Sequence, residues 1–406
     1  LGMKCKLGDI CLKIGSGATP RGGKEAYCTE GISLIRSQNV LDFSFSMGGL
    51  AYINDTQARQ LDGVTVNSND VLLNITGDSV ARACIVPTNI LPARVNQHVA
   101  IIRPDDKKAD GKYILYFLQS IKPLLLQISS SGGTRNALTK SMIEALEINL
   151  PSISEQKAIA DTLSCLDDKI ELNNRMNRTL EEIAQAIFKS WFVDFEPFQD
   201  GEFVDSELGS IPKGWRVGTL TEIADYLNGL AMQKYPPESE AEALPVLKIK
   251  ELRQGRTDAE SDLCSPDIEK KYVIHDGDVV FSWSGSLLVN LWCGGTCGLN
   301  QHLFKVTSSK YQKWFYYMWT LYHLREFQAV AKDKATTMGH IKRENLTKSK
   351  VLIPSSQVLE DMNSTMSPII EKIIANRLQS RKLEEIRDSL LPKLMSGEIR
   401  VPMEAK

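Results

Sequence analysis

The stretch IADTLSCLDDKIELNNRMNRTLEEIAQAIFKSW, from Ile159 to Trp191, decides the fold of this chain. Neither glycine nor proline interrupts it, and one of its faces repeats at alternating intervals of four and three residues, which is the spacing of a coiled-coil seam. The seam is apolar at both ends and polar in the middle, and we assign to it Ile159, Leu163, Leu166, Ile170, Asn173, Leu180 and Ile187. This pattern predicts a long helix that packs lengthwise against another helix.

The same pattern occurs a second time, 203 residues further on (376 − 173). At this interval Asn376 corresponds to Asn173, and the tetrapeptide Leu-Glu-Glu-Ile at 180–183 recurs at 383–386. A constant interval with an identical tetrapeptide predicts an internal repeat. The second seam comprises Ile369, Ile373, Asn376, Leu383 and Leu390. Each helix could pack only on its own domain, but polar residues at matched seam positions favour pairing of the two helices, because such residues fix register.

The chain between the two helices favours an antiparallel pair. Each predicted helix has about 39 residues and is therefore roughly 58 Å long. In a parallel pair, the connection from Val193 to Trp215 would have to run back along this whole length almost fully extended. An antiparallel pair delivers the chain directly into its second half. Pro392 is expected to kink or end the second helix, and Gly397 to stop it.

The part of each half that precedes its helix predicts a compact mixed domain. Short β-like runs, such as 71–75 and 279–283, alternate with turn residues and precede a helix-like apolar run. The tripeptide Asn-Gln-His, at 96–98 and again at 300–302, is one landmark of the repeat. We therefore predict an α+β fold: two similar mixed α/β domains joined by two long helices forming an antiparallel coiled coil, with a pseudo-twofold internal repeat. The predicted segments are a first domain 1–150, a first spacer helix 151–195, a linker 196–213, a second domain 214–354, a second spacer helix 355–397 and a C-terminal tail 398–406.

Length and charge limit the class of protein. The chain has 406 residues, so two globular units are expected. Its net charge of −2 does not indicate a polyanion partner, so any nucleic-acid surface has to be a local patch or be shared with another subunit. No apolar run is long enough to span a membrane, and the sequence shows no signal peptide. We therefore expect a cytoplasmic protein that does not enter a membrane.

The motifs that would carry catalysis or bind a metal are incomplete. Residues 15–25 are rich in glycine, but Ala18 and Glu25 replace the first glycine and the final serine or threonine of a phosphate-binding loop. Cys293, Cys297 and His302 lack a fourth metal ligand nearby. No nucleophile-base motif is recognisable. We expect no catalytic residue, no metal and no cofactor in this chain, and we interpret the histidines of the tripeptides as structural.

Three segments carry a family resemblance. LPSISEQKAIADTLSCLDDKI at 150–170, LGSIPKGWRVGTL at 208–220 and KLEEIRDSLLPKLMSGEIRV at 382–401 closely resemble the specificity subunit of type I restriction-modification systems. The resemblance implies two target-recognition domains, which read the halves of a split and asymmetric double-stranded DNA site. It also implies two docked methyltransferase subunits, which use S-adenosylmethionine, and restriction motor-nuclease subunits, which use ATP and Mg²⁺. The chain itself would be non-catalytic.

Base reading is expected where the two halves differ, because two different half-sites need different side chains. Arginine and lysine suit guanine, and asparagine and glutamine suit adenine, through paired hydrogen bonds in the major groove. The candidates are Arg36, Gln38, Asn39, Arg135, Asn136 and Lys140 in the first half, and Lys248, Lys250, His340, Lys342 and Arg343 in the second. Two alternatives remain open: a protein-binding scaffold without DNA affinity, and a free-standing DNA-modifying enzyme.

Overall fold

A computed structural model of the chain describes residues 3–130, 136–333 and 340–402. Arg135, one of the candidates for base reading, lies outside the described residues. The chain divides into two compact units. Unit 1 comprises Leu1–Lys169 and Leu383–Lys406, and unit 2 comprises Ile170–Lys382. Each of the two long helices is divided between the units, so the predicted separation into domains and spacer helices differs from the division into compact units.

Unit 1 begins with short strands, and most of its helices follow them. Its strands are β1 (Met3–Lys6), β2 (Cys11–Ser16), β3 (Ile32–Ile35), β4 (Ala51–Ile53), β5 (Thr65–Val66), β6 (Val71–Asn74), β7 (Ala83–Ile85), β8 (Ala93–Val95), β9 (Val99–Pro104) and β10 (Glu147–Leu150). Its helices are α1 (Asp55–Gln60), α2 (Gly111–Ser120), α3 (Lys122–Ser130), α4 (Lys140–Glu144) and the N-terminal part of α5 (Ile153–Phe192).

Two four-stranded sheets form the framework of unit 1. One has the strand order β2-β9-β6-β7 and is antiparallel throughout. The other has the order β4-β3-β8-β5, in which β3 and β8 are parallel. All four residues of β6 are buried, which is typical of a strand covered on both faces. β1 pairs with β10 and so lies beside the strand that leads into α5.

Unit 2 is likewise built of short strands followed by helices. Its strands are β11 (Phe203–Ser206), β12 (Gly209–Pro212), β13 (Arg216–Thr219), β14 (Asp225–Asn228), β15 (Leu244–Leu247), β16 (Leu263–Cys264), β17 (Val273–Ile274), β18 (Val279–Ser282), β19 (Leu288–Leu291), β20 (Cys297–Leu299), β21 (Leu303–Thr307) and β22 (Lys350–Ile353). Its helices are α6 (Leu220–Ile223), α7 (Ile249–Gln254), α8 (Lys313–Asp333), α9 (Arg343–Lys348) and most of α10 (Ser356–Ser396).

The sheet topology of unit 2 repeats that of unit 1 strand for strand. Its two sheets have the orders β14-β21-β18-β19 and β16-β15-β20-β17, again with one parallel pair, β15 and β20, and β13 pairs with β22. The hairpin of β11 and β12 lies within the predicted linker 196–213 and has no counterpart among the described strands of unit 1. The predicted α+β class and the internal repeat are therefore confirmed.

Within unit 2, α5 and α10 are joined by side-chain amides. The Asn173 Nδ2 group donates to the Gln379 Oε1 atom at 3.0 Å and lies 3.3 Å from the Ser380 Oγ atom. The Asn376 Nδ2 group donates to the Asn177 Oδ1 atom at 2.9 Å. Rising numbers in α5 thus meet falling numbers in α10, which is an antiparallel arrangement. Of the seam positions in this unit, Ile170, Asn173, Ile373 and Asn376 are buried, and Leu180, Ile187 and Ile369 are half-buried.

Within unit 1, the two helices meet through apolar side chains and an ion pair. Leu391 and Leu394 of α10 join the core of this unit beside α5. The Arg387 Nη1 group donates to the Asp167 Oδ1 atom at 2.7 Å, and the Tyr116 hydroxyl donates to the Asp167 Oδ2 atom at 2.6 Å. Burial raises the pKa of Asp167, although both hydrogen bonds oppose this shift. Of the seam positions in this unit, Ile159 and Leu163 are buried, and Leu166, Leu383 and Leu390 are half-buried.

Of the two outcomes expected at Pro392, a kink or an end of the second helix, the end is wrong. α10 continues through Pro368 and Pro392 to Ser396. Proline removes one N–H donor from a helix, and here the carbonyl that loses this donor belongs to the exposed residue Asp388, where water can replace it. Gly397 ends the helix with a φ of +79°, and its N–H donates to the Leu394 carbonyl at 3.2 Å.

Candidate nucleic-acid interface

The tripeptide Asn-Gln-His forms the same turn in both units, after β8 in unit 1 and after β20 in unit 2. The Asn96 side-chain oxygen accepts from the His98 backbone N–H at 3.1 Å, and Asn300 accepts from His302 at the same distance. The Asn96 N–H donates to the carbonyl of Ile35, the last residue of β3. Both asparagines are buried, so they shape the turn and do not face solvent.

A glycine directly after the first strand of each four-stranded antiparallel sheet lets the chain pass close to this turn. A Cβ atom on Gly17 would lie 2.1 Å from the Val95 carbonyl oxygen, and one on Gly229 would lie 2.3 Å from the Asn300 carbonyl oxygen. Both distances are far below van der Waals contact, so no larger residue fits. The glycines are therefore part of the duplicated turn.

Both ring nitrogens of each histidine in the turn lie beside a polar side chain. The His98 Nδ1 atom lies 2.6 Å from the Thr76 hydroxyl, and the His302 Nδ1 atom lies 3.1 Å from the Ser284 hydroxyl. The other ring nitrogen lies beside the neighbouring glutamine amide, at 3.1 Å for Gln97 and 3.4 Å for Gln301. These contacts agree with the structural interpretation of the histidines and leave the glutamines at the surface.

The turn brings the candidate segments of unit 1 together. On one side Arg36 directly follows Ile35, whose carbonyl bonds to the turn. On the other side the Ile75 N–H donates to the His98 carbonyl at 3.0 Å, and the Gly77 N–H donates to the Asn136 carbonyl at 3.3 Å. The two groups of candidates are thus neighbours of one turn, although about 100 residues separate them in the sequence.

The loop after β3 holds the first group of candidates. Asn39 is fully buried, and its amide nitrogen donates to the carbonyls of Ser46 and Gly48 at 3.0 and 3.2 Å. Its oxygen accepts from the Arg36 N–H at 3.0 Å. A base contact by Asn39 would therefore require this loop to open. The side chains of Arg36 and the exposed Gln38 both donate to the Gly49 carbonyl, at 2.5 and 3.1 Å.

The second group of candidates in unit 1 lies at the start of α4. Asn136 and Lys140 are exposed. The Lys140 Nζ atom lies 3.5 Å from a carboxylate oxygen of Glu144, one helical turn further on. Such exposed pairs contribute little to stability, so this lysine can exchange its partner for a phosphate.

In unit 2 the equivalent of the Arg36 loop is rich in carboxylates. Lys248 forms an ion pair with Asp262. The Lys250 Nζ atom lies 3.3 Å from Glu260 and 3.5 Å from Asp258, and the hydrogen bond to Glu260 raises the pKa of Lys250. These two lysines are thus neutralised within the unit in the absence of a ligand.

The other candidates of unit 2 lie beside the turn on its second side. The Ile341 N–H donates to the Trp283 carbonyl at 3.1 Å, which places His340, Lys342 and Arg343 next to β18. All three are exposed. The arrangement matches that of Asn136 and Lys140 in unit 1.

Sequence reasoning missed Trp283 as a possible contact residue. Its ring lies 6.1 Å from the His302 ring and 6.3 Å from the His340 ring, and its Nε1 group donates to the Asn228 Oδ1 atom at 2.9 Å. It stands where unit 1 has Ile75, between the turn and the segment at 340–343. A tryptophan just after the strand VVFS, followed by serine and glycine, is the signal that could have drawn attention to it.

The described residues contain neither a cluster of metal ligands nor a membrane-spanning helix. In the part of the chain that the structure describes, no group of three or more histidine, cysteine, aspartate or glutamate residues could hold a metal ion. Within the same residues, no helix has the length and apolar character needed to cross a membrane.

Comparison with known proteins points to one family. The model of the family described as "Type I restriction modification DNA specificity domain" matches residues 3–182 and again 212–387. The chain is 34% identical over 320 residues to the type I restriction enzyme MjaIX specificity subunit of Methanocaldococcus jannaschii, covering 76% of this chain and 74% of that one. It is 25% identical to the HindI specificity subunit of Haemophilus influenzae, covering 97% of this chain and 98% of that one.

A solved structure has the same fold. It is the S subunit of a type I restriction-modification system from M. genitalium, which matches with a TM-score of 0.57 and 16% identity over 97% of this chain and 96% of that one. Since the family model covers most of the chain and matches both of its halves, this protein belongs to the family of the type I restriction modification DNA specificity domain and carries that domain twice.

Proposed function

We propose that this chain is the DNA sequence-recognition subunit of a type I restriction-modification complex. Each unit reads one half of a bipartite, asymmetric site, and the paired helices set the gap between the halves and dock methyltransferase subunits. The observation that carries the proposal is the duplicated turn. Two units with one topology hold different side chains at the same place beside it, as two readers of different half-sites would.

The two units differ in the side chains that they place beside the turn. Around the turn, unit 1 offers Arg36, Gln38 and Lys140, whereas unit 2 offers Lys248, Lys250 and Arg343 at the corresponding places. A guanidinium group forms two parallel hydrogen bonds to guanine, and an amide does so to adenine. Side chains of different donor and acceptor pattern at equivalent positions therefore favour different base pairs, and others of the set position the protein on phosphate.

The two long helices suit the role of a ruler. α5 has 40 residues and α10 has 41, so each is about 60 Å long. Buried amides at Asn173, Asn177 and Asn376 fix the register of the pair in unit 2, because a slip would leave them without partners. A pair of fixed register would set the gap between the two half-sites, which would be one DNA turn or somewhat more, at about 34 to 36 Å per turn.

Catalysis would belong to partner subunits. We propose that two methyltransferase subunits supply S-adenosylmethionine chemistry on adenine, and that restriction subunits supply ATP- and Mg²⁺-dependent cleavage. The net charge of −2 fits this division, because much of the phosphate contact can then come from the partners. The chain would act in the cytoplasm, where the DNA and these partners are.

The test is a map of modified bases in DNA from cells that express the methyltransferase with and without this chain. We expect a split motif with methyladenine in both halves that is present only with the chain. The matched variants are Lys342→Ala with Arg343→Ala, which should relax or abolish one half of the motif, and Lys107→Ala, an exposed lysine in the loop after β9, which should leave it unchanged.

Two outcomes would contradict the proposal. If no motif appears although the subunits assemble, and the assembled complex lacks salt-dependent DNA affinity, the chain is a protein-binding scaffold. If the purified chain alone binds radiolabelled S-adenosylmethionine and methylates DNA, it is a free-standing enzyme.

A further inference from the structure

We infer that the glutamine of each turn, Gln97 in unit 1 and Gln301 in unit 2, contacts the DNA backbone and serves as a sequence-independent anchor. This inference rests on the proposed function and adds a binding site to it. The candidates for base reading differ between the units, whereas this glutamine is the same in both. A residue that is identical in readers of different half-sites suits the part of DNA that all sequences share.

The turn itself explains why asparagine is present twice, but it does not explain the glutamine. Asn96 and Asn300 are buried and complete the backbone hydrogen bonds of the turn. Gln97 is exposed and Gln301 is half-buried, and the contact described for each amide is with the adjacent histidine. Packing alone would accept many side chains at such a surface position.

The histidine positions the glutamine through a short relay. When the Gln97 amide donates one N–H to the His98 Nε2 atom, the proton of the neutral ring lies on Nδ1 and is donated to the Thr76 hydroxyl. The second N–H of the amide then remains for a ligand. The same relay runs through Gln301, His302 and Ser284. A side chain held in one orientation loses less conformational entropy on binding.

The chemistry of the relay fits a phosphate oxygen. Phosphate oxygens only accept hydrogen bonds, and the relay presents a donor. Glutamine is among the uncharged side chains that contact phosphates and fix the register of a protein on the duplex. The neighbouring segments at Arg36 and Asn136 lie on either side of the turn, so an anchor there would hold both against the edges of the bases.

The experiment measures DNA affinity of the full chain assembled with its methyltransferase, on DNA with and without the recognised motif. Gln97→Ala and Gln301→Ala should each weaken binding to both DNAs by a similar factor, roughly two- to tenfold for one hydrogen bond. The dependence of affinity on salt should not change, because no counterion is released by a neutral side chain. Thermal unfolding of each variant provides the measure of folding.

A change of charge separates an anchor from a merely structural residue. Gln301→Lys should strengthen binding to both DNAs and steepen the slope of log affinity against log salt by about 0.9. Ser309→Lys, which adds the same charge at an exposed position beyond the other end of β21, should have a smaller effect on both quantities. In unit 1, His98→Ala and Gln97→Ala should be non-additive, because the histidine acts through the glutamine.

Three results would overturn the inference while the proposed function stands. They are unchanged affinity in the alanine variants, a loss confined to DNA that carries the motif, which would assign a base contact, and a response in one unit only. Failure of the unmodified complex to bind DNA at any salt concentration would overturn the proposed function, and this inference with it.

Discussion

The loop after β3 in unit 1 and the segment after β15 in unit 2 occupy the same place in the fold, but they differ in charge. The partners described for Arg36 are neutral, namely the Gly49 carbonyl and the Tyr27 ring, whose centroid lies 5.7 Å from the guanidinium carbon. Lys248 and Lys250 instead contact carboxylates. The duplicated framework thus fixes where a side chain stands and leaves its charge free to differ.

A second difference concerns how each unit holds the long helices. In unit 2 buried neutral amides connect α5 and α10, together with a partly exposed ion pair between Arg377 and Glu181. In unit 1 the ion pair of Arg387 and Asp167 connects them, and the Arg387 guanidinium carbon lies 3.8 Å from the centre of the Phe43 ring. A buried ion pair is costly to break, because the remaining charge is left without a partner. The same helical repeat therefore has a buried amide network in unit 2, whereas its less exposed ion pair lies in unit 1.

The largest expected effect comes from lengthening the helices while both units stay intact. One additional heptad after Lys169 in α5 and one after Lys382 in α10, where the chain passes from one unit to the other, extend the pair by about 10.5 Å. Because the two half-sites can then no longer be engaged together, we expect methylation of the original motif to be lost. Modified-base mapping measures this. Retention of the unchanged motif would contradict the ruler.

The next largest effect is a loss of stability when either ion pair between α5 and α10 is broken. Arg387→Ala should destabilise unit 1 by about 3 kcal/mol, because it leaves the Asp167 carboxylate, whose side chain is only 17% exposed, without its charged partner. Arg377→Ala in unit 2 should cost about 1 kcal/mol or less, since its pair with Glu181 is about one third exposed. Urea unfolding followed by circular dichroism reports on both units.

Tryptophan fluorescence distinguishes the units in that experiment. All six tryptophans lie between residues 191 and 319 and therefore within unit 2. Arg387→Ala should shift the unfolding transition seen by circular dichroism more than the one seen by fluorescence. Equal shifts in both signals would mean that the two units unfold together.

A smaller effect is expected from the glycine beside the turn. Gly17→Ala should lower the free energy of unfolding by about 2 kcal/mol, because its Cβ would overlap a backbone carbonyl. Gly15→Ala is the matched control, since a Cβ at that position meets nothing within 4 Å. Gly229→Ala should behave like Gly17→Ala. A tolerated Gly17→Ala would show that the turn can move away from β2.

The smallest effect is expected from removing a carboxylate beside Lys248. Asp262→Asn removes the partner of Lys248 and should raise DNA affinity a few-fold while steepening its dependence on salt. Asp106→Asn makes the same change of charge at an exposed position in the loop after β9 and serves as the control. Equal responses to both changes would indicate a general effect of net charge and not a local one.

The long helices could be predicted from the sequence, whereas the details of the candidate site could not. The helices and their pairing follow from a periodic pattern, because helix packing depends on spacing that the letters show directly. The antiparallel direction follows from the short connection between the helices. Asn39 shows that a sequence pattern does not reveal whether a side chain is buried. The pattern IRSQNV suggested a base reader, whereas the side chain is buried and closes its own loop, as Glu251 does in unit 2 by accepting from the Lys248 N–H.

Other features depend on contacts that are distant in the sequence. The carboxylates around Lys248 and Lys250 come from residues 258 to 262, and only the fold brings them together. Trp283 is a candidate contact residue because its ring lies near those of His302 and His340, which belong to two other segments. Loop conformation and long-range pairing decide such sites, and neither has a period that can be read along the chain.

The division of the chain has a consequence for its synthesis on the ribosome. Unit 2 is one continuous segment, whereas the core of unit 1 includes Leu391 and Leu394, which are made some 220 residues after Lys169. Unit 2 can therefore complete its core first, although unit 1 is translated earlier. Until α10 emerges, the apolar side of unit 1 that receives these leucines stays uncovered, and a nascent chain interrupted before Leu383 would expose it permanently.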